Sequence, residues 1–242
     1  MDKYTALGSN IFGFEIFEEV FKAINERGEQ SDESMFKAGV ASAEAAVRRL
    51  TVTIQHKAYK TTFSKSKGYP VKVEWWVTRA SIECNVKAKR GDKFIPDPKL
   101  SAETNLQSDY TGQGFDRGHN FPAADAACDQ VANDESFYFS NMTAQYPALN
   151  RGDWKELETI TRTEVKLYDS VYVWCGSVGE AKKIGKVSVP KQCWKVMYTK
   201  RLNTYSAFLF DNSTTKADGV KNNEVPLEVV EQISGFKFKI NK

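Results

Sequence analysis

The 242 residues carry 34 Lys and Arg against 31 Asp and Glu, a formal net charge of +3, and 41% of them are hydrophobic. With 15 Phe, 10 Tyr and 5 Trp the chain has the apolar material for a core, which excludes intrinsic disorder. No apolar run approaches the roughly eighteen residues of a membrane span, and a charge of +3 alone names no nucleic-acid partner.

The charge is uneven along the chain. Residues 1–35 hold eight acids against Lys3, Lys22 and Arg27, so an acidic head of −5 precedes a body of +8. Phe17, Val20, Phe21 and Ile24 recur at helical spacing, and Phe36, Val40, Ala43, Val47 and Leu50 do the same after a turn over residues 27–32. Residues 1–50 are therefore predicted as a helical hairpin, appended to a body that spans 51–242. It either packs on that body or serves docking or dimerisation.

From Thr51 the pattern turns to strands: residues 51–54, 71–77, 171–176, 193–198 and 205–210. A helix is predicted over Leu227–Ile233, with Val225-Pro226 suiting its first turn. Three lysine-rich runs, over residues 55–67, 87–93 and 181–201, read as solvated faces or as a phosphate-lined groove. Strands outnumber helices and hairpin-like connections recur. The expected class is α+β, with a mainly antiparallel central sheet flanked by helices.

Cys84, Cys128, Cys175 and Cys193 form no CxxC pair, which argues against a zinc finger. The N-terminal residues lack a cationic stretch followed by an apolar one, so no signal peptide is read. The expectation is free thiols in a cytoplasmic setting, the cell's own or that of a phage-infected host. A bridge between Cys175 and Cys193 stays open if they lie on neighbouring strands.

Residues 109–162 are dense in chemistry. Phe137–Ser140 reads as a strand, and Asn150 as the N-cap of a helix in which Trp154, Leu157, Thr161 and Val165 share a face. Glu158 and Arg162 are i,i+4 neighbours, which as a plain surface pair is worth roughly 0.3–0.5 kcal/mol. His119 follows Asp116-Arg117-Gly118. A neutral imidazole takes a proton from water near neutral pH. A carboxamide oxygen such as that of Asn150 suits Mg²⁺, which keeps most of its waters. Arginines suit phosphate oxygens and developing charge. Together these groups are equipped to hydrolyse a phosphodiester.

The same segments resemble the signature of the DNA/RNA non-specific endonucleases, the endonuclease G-like ββα-metal (His-Me finger) nucleases. The matching blocks are Asp116-Arg117-Gly118-His119, Ser140-Asn141-Met142-Thr143-Ala144-Gln145, and Leu149-Asn150 through Gly152, Trp154, Leu157 and Glu158. The likeness extends over about residues 51–240 and leaves out the head.

The resemblance implies that His119 is the general base and that Asn150 is the direct protein ligand of a hydrated Mg²⁺, for which Mn²⁺ substitutes. Glu158 would hold a metal-bound water, and Asn141 would position the His119 loop. Arg117 and Arg162 would neutralise phosphate, and Arg90 would aid the transition state. Water would attack in line, leaving 5′-phosphate ends on DNA and RNA. Asn120 departs from the Leu, Met or Gln usual after the histidine, and the departure bears on the pocket. The alternative is a nucleic-acid-binding or scaffold protein that kept the fold and lost turnover. A homodimer, and an inhibitor or docking partner for residues 1–50, are the expected protein partners.

Overall fold

The computed structural model describes residues 50–100, 107–215 and 219–240, so the hairpin expected over the head lies outside the described residues. The early strands are β1 Thr51–Gln55, β2 Lys60–Ser64, β3 Tyr69–Thr78, β4 Asp116–His119 and β5 Met142–Gln145. Next come β6 Ser170–Val178, β7 Lys182–Ile184, β8 Val187–Val189, β9 Gln192–Thr199, β10 Thr204–Asp211 and β11 Glu224–Val225. A seven-stranded sheet runs in the order β1-β2-β3-β6-β9-β10-β11, antiparallel at every pairing. Two-stranded ribbons, β4-β5 and β7-β8, stand beside it. The class is α+β, as expected.

Side-chain alternation splits the sheet into two apolar faces. Val73, Trp75, Val77, Val171, Val173, Cys175, Cys193 and Met197 join one core with the long helix Asp153–Tyr168. Trp154, Leu157 and Val165 are that helix's contribution, and Thr161 is buried with them. Trp174, Trp194 and Val196 point the other way, against Val230 of the C-terminal helix Leu227–Ser234 and Phe238 beyond it. Pro226 stands at the N-cap of this helix rather than inside its first turn. A third, smaller core of Tyr110, Phe115, Phe139, Met142, Ala144, Ile184, Val187 and Val189 lies between the two ribbons. No helix among the described residues is long and apolar enough to cross a membrane.

Two local expectations are corrected. Residues Phe139–Asn141 form a 3₁₀ turn, and the strand begins only at Met142. The carbonyls before it are taken locally: Asn141 Nδ2 donates to Ser136 O at 2.8 Å, and Ser136 Oγ to Asn133 O at 2.6 Å. Asn150 is not an N-cap. It lies inside the short helix Pro147–Arg151, and Gly152 caps the long helix with no side-chain bond. A Cβ on Gly152 would stand 2.5 Å from Ala148 O, so the break between the two helices needs glycine.

The free-thiol expectation fails for half the cysteines: Cys84 and Cys128 are bridged. Cys175 and Cys193 do lie on adjacent strands, but as buried free thiols, with Cys175 opposite Lys195 and Cys193 opposite Ser177. The lysine run over residues 55–67 is largely occupied: Lys57 pairs with Asp129, Lys60 with Glu74 and Lys67 with Glu180.

Candidate active site

β4 is the tetrapeptide Asp116–His119 itself, paired antiparallel with β5 so that His119 faces Met142 and Gly118 faces Thr143. A Cβ on Gly118 would run into the buried Gln145 side chain, so glycine lets that side chain pack across the ribbon. The long helix docks on its end: Trp154 Nε1 donates to His119 O at 3.0 Å. Two strands and a helix thereby hold one histidine.

The His119 ring sits against Phe137 and Phe94, at centroid distances of 5.0 and 5.5 Å. Arg117, two residues earlier on the strand, lies over Phe94 at 4.6 Å, and Arg90 over Phe137 at 5.2 Å. The two phenylalanines form a shelf that carries both guanidiniums beside the imidazole. Burial, then Arg90 and Arg117, push the His119 pKa down to about 3. Its Nε2 is enclosed without a hydrogen-bond partner. The ring is therefore held towards its neutral form, and with the proton on Nδ1 the unpartnered Nε2 offers a lone pair.

Just beyond it, Asn141 clamps the chain. Its Oδ1 accepts from Phe121 N and its Nδ2 donates to Phe121 O, both at 2.8 Å. Asn120 turns inward, donating through Nδ2 to Asn141 O at 2.9 Å and to Thr143 Oγ1 at 3.0 Å. This departure from the usual residue thus ties β4 to β5 instead of facing the pocket.

At the start of β4, Asp116 accepts from Asn150 Nδ2 at 2.9 Å and from Arg151 at 2.8 and 2.7 Å. Burial raises the Asp116 pKa, but the bonds from Arg151 and Asn150 outweigh it and leave the carboxyl below its ordinary range. Asn150 is held by its amide nitrogen, which leaves Oδ1 available as a ligand atom.

Glu158, one turn beyond Trp154, does not pair with Arg162. Arg162 Nη1 turns instead to the buried Asp125 at 3.1 Å, which also accepts from Trp75 Nε1 at 3.0 Å. Burial lifts the Glu158 pKa to about 7; Lys195, Arg162 and Arg90 oppose that rise and Asp125 adds to it. Burial likewise raises Asp125, against Arg162. Lys195 is an inward-facing lysine of β9, almost fully buried, with Nζ 4.2 Å over the Trp154 ring.

His119, Arg117, Arg90, Glu158 and Arg162 are thus coupled in one place, with Asn150 anchored on the same ribbon. Sequence reasoning missed Asp116 as the anchor of Asn150, Asp125 as the partner of Arg162, and Lys195. The signal for Lys195 was its place between Cys193 and Met197 on the inward side of a strand apolar on both faces. His56 is elsewhere: it is buried, stacked on Tyr59 at 4.4 Å, with Nε2 3.2 Å from Asp97.

Among the described residues no group of three His, Cys, Asp or Glu is gathered as a metal cage. The oxygen donors here are the carboxamide of Asn150 and the carboxyl of Glu158, which burial disfavours as an anion. Those groups fit a hard cation that retains most of its waters, not a dehydrated ion.

A family model described as DNA/RNA non-specific endonuclease matches residues 41–242. Nuclease 1, mitochondrial, of Schizosaccharomyces pombe is 31% identical over 208 residues, 76% of this chain and 64% of that protein. Human endonuclease G, mitochondrial, is 34% identical over 154 residues, 55% of this chain and 51% of that protein. The chain thus spans between about half and two thirds of these relatives. A crystal structure of an EndoG/EndoGI complex superposes with a TM-score of 0.71 at 25% identity, covering 77% of this chain and 84% of that one. With the family match covering most of its length, the chain belongs to the DNA/RNA non-specific endonuclease family.

Proposed function

We propose that the protein is a Mg²⁺-dependent endonuclease that hydrolyses phosphodiester bonds of DNA and RNA and leaves 5′-phosphate ends. The observation that carries this reading is the unpartnered Nε2 of His119, set between Arg90 and Arg117. A neutral imidazole there accepts the proton of an attacking water, while the arginines meet the phosphate oxygens and the charge that grows on them. An approaching phosphate also raises the His119 basicity, because its negative charge offsets the two guanidiniums. Trp154 and Asn141 fix the imidazole through the backbone at His119 and at Phe121, two residues beyond it. Asn150 Oδ1 would hold the metal directly and Glu158 through a water. When bound, Mg²⁺ supplies Lewis-acid stabilisation of the phosphate and of the leaving oxygen.

The disulfide fits an oxidising compartment better than the cytoplasm. A protein inhibitor, as in the EndoG/EndoGI complex, is a fitting partner for such an enzyme. The acidic residues 1–50 are suited to docking, dimerisation or restraint, because their charge opposes that of the body.

Plasmid nicking with Mg²⁺, and with the metal chelated, tests the reading across DNA, RNA and single-stranded substrates. His119→Ala should lose at least about 1,000-fold in kcat while DNA binding persists. Metal-independent nicking, or a fully active His119→Ala variant, overturns it.

A further inference from the structure

Beside the catalytic residues, a cleft of about 270 Å³ opens between the long helix and the segment that follows β3. Its helix wall is Thr159, Arg162, Thr163 and Lys166, and the facing wall includes Ile82, Glu83 and Lys87, with Ala124 between them. Arg162 belongs to both the cleft and the catalytic cluster. Three cations face one acid here. Asp125 offsets Arg162, whereas neither Lys87 nor Lys166 is ion-paired among the described residues. Lys87 Nζ donates to Ile82 O, which holds it at the rim. The Cys84–Cys128 bridge and the bond from Ala88 N to Ala127 O, 2.7 Å, fix that wall against the body.

Glu158, Arg162 and Lys166 lie at successive i,i+4 positions. Each step advances about 6 Å along the helix. One strand of a duplex advances about 7 Å in two nucleotides.

We propose that this cleft is a second phosphate subsite, which takes a backbone phosphate of the substrate a short distance from the scissile diester. It rests on the nuclease reading for its ligand. Lys87 and Lys166 hold the non-scissile phosphate, and Arg162 bridges the two positions. Thr159 and Thr163 donate to helix carbonyls, at 3.1 and 3.0 Å, so the cations rather than the hydroxyls supply the attraction. The subsite lets the enzyme favour a strand with phosphates flanking the cut over an isolated diester.

The full chain carrying Lys87→Gln and Lys166→Gln is the test, with Lys87→Arg and Lys166→Arg as the charge-retaining control. KM and kcat are measured on a dinucleotide, which has a single diester, and on longer oligonucleotides. The glutamine variant should raise KM on the long substrates roughly tenfold, keep kcat, and leave the dinucleotide unaffected. The slope of log KM against log salt should fall by about one, for the single phosphate released, and the arginine variant should restore both. An unchanged KM and salt slope overturns the subsite, and so does an equal loss on the dinucleotide. If the wild-type chain cuts nothing, the nuclease reading fails. Anisotropy of a labelled oligonucleotide with metal chelated still decides the subsite: weaker binding by the glutamine variant upholds it and equal binding overturns it.

Discussion

At the residue scale, the same burial moves His119 and Glu158 to opposite protonation habits. His119 falls from 6.5 to about 3 and Glu158 rises from 4.5 to about 7, so each is held towards its neutral form. The unfolded chain protonates its histidine first, so the stability due to neutral His119 is present above pH 6.5 and lost as pH falls towards 3. For Glu158 the sign reverses: stability is present below pH 4.5 and lost as pH rises through 7. Glu158→Gln should therefore stabilise the metal-free protein by roughly 3 kcal/mol at pH 8 and by less than about 1 kcal/mol at pH 5. Melting curves at the two pH values check it, and equal shifts would exclude buried charge as the cause. In the rate, kcat/KM at low Mg²⁺ should decline with unit slope as pH drops below about 7, from Glu158 alone. A slope of two between pH 4.5 and 6.5 would show that His119 titrates there.

At the scale of elements, the site is a ribbon and a helix held by few contacts. Gly118 is close to Gln145, and Gly118→Ala should cost about 1–3 kcal/mol by displacing the buried Gln145 side chain. Adding Gln145→Ala should recover part of that loss, because the two positions share one clash. Denaturant titration of the single and double variants reads the coupling, and strict additivity would deny it. The segment that carries Arg90 is pinned by the Cys84–Cys128 bridge and by Lys89 N donating to Gln130 Oε1 at 2.8 Å. Paired Cys84→Ser and Cys128→Ser should cost about 2–4 kcal/mol and lower kcat, since Arg90 then samples positions away from His119. A lower melting temperature with unchanged kcat would leave the bridge a purely stabilising role.

At the scale of the whole molecule, the two faces of the large sheet have different work. One buries the long helix and thereby sets Trp154, Glu158 and Arg162 beneath the ribbon, and the other closes on the C-terminal helix. With +8 carried beyond residue 35, substrate affinity should weaken with salt at a slope of roughly −0.9 per neutralised phosphate, with little dependence on base sequence. Nicking rates across a salt series on unrelated duplexes test both parts. Removal of residues 1–45 should raise affinity for nucleic acid, because −5 of repulsive charge leaves with the head. Unchanged affinity, mass and activity would dismiss a role for it.

By itself the sequence determined the α+β class, most strand positions, the buried face of the long helix and the identity of the site blocks. Each of these is written in local periodicity or in contiguous motifs. Only the tertiary structure decided which groups face each other. Arg162 answers to Asp125, not to Glu158 four residues away. Asn150 is gripped by Asp116 from another element, and Cys84 finds Cys128 rather than a strand neighbour. Lys195 becomes a buried charge over Trp154. Spacing along a chain limits which partners are within reach. Burial and the packing of distant segments select among them, and they shift the protonation of His119 and Glu158.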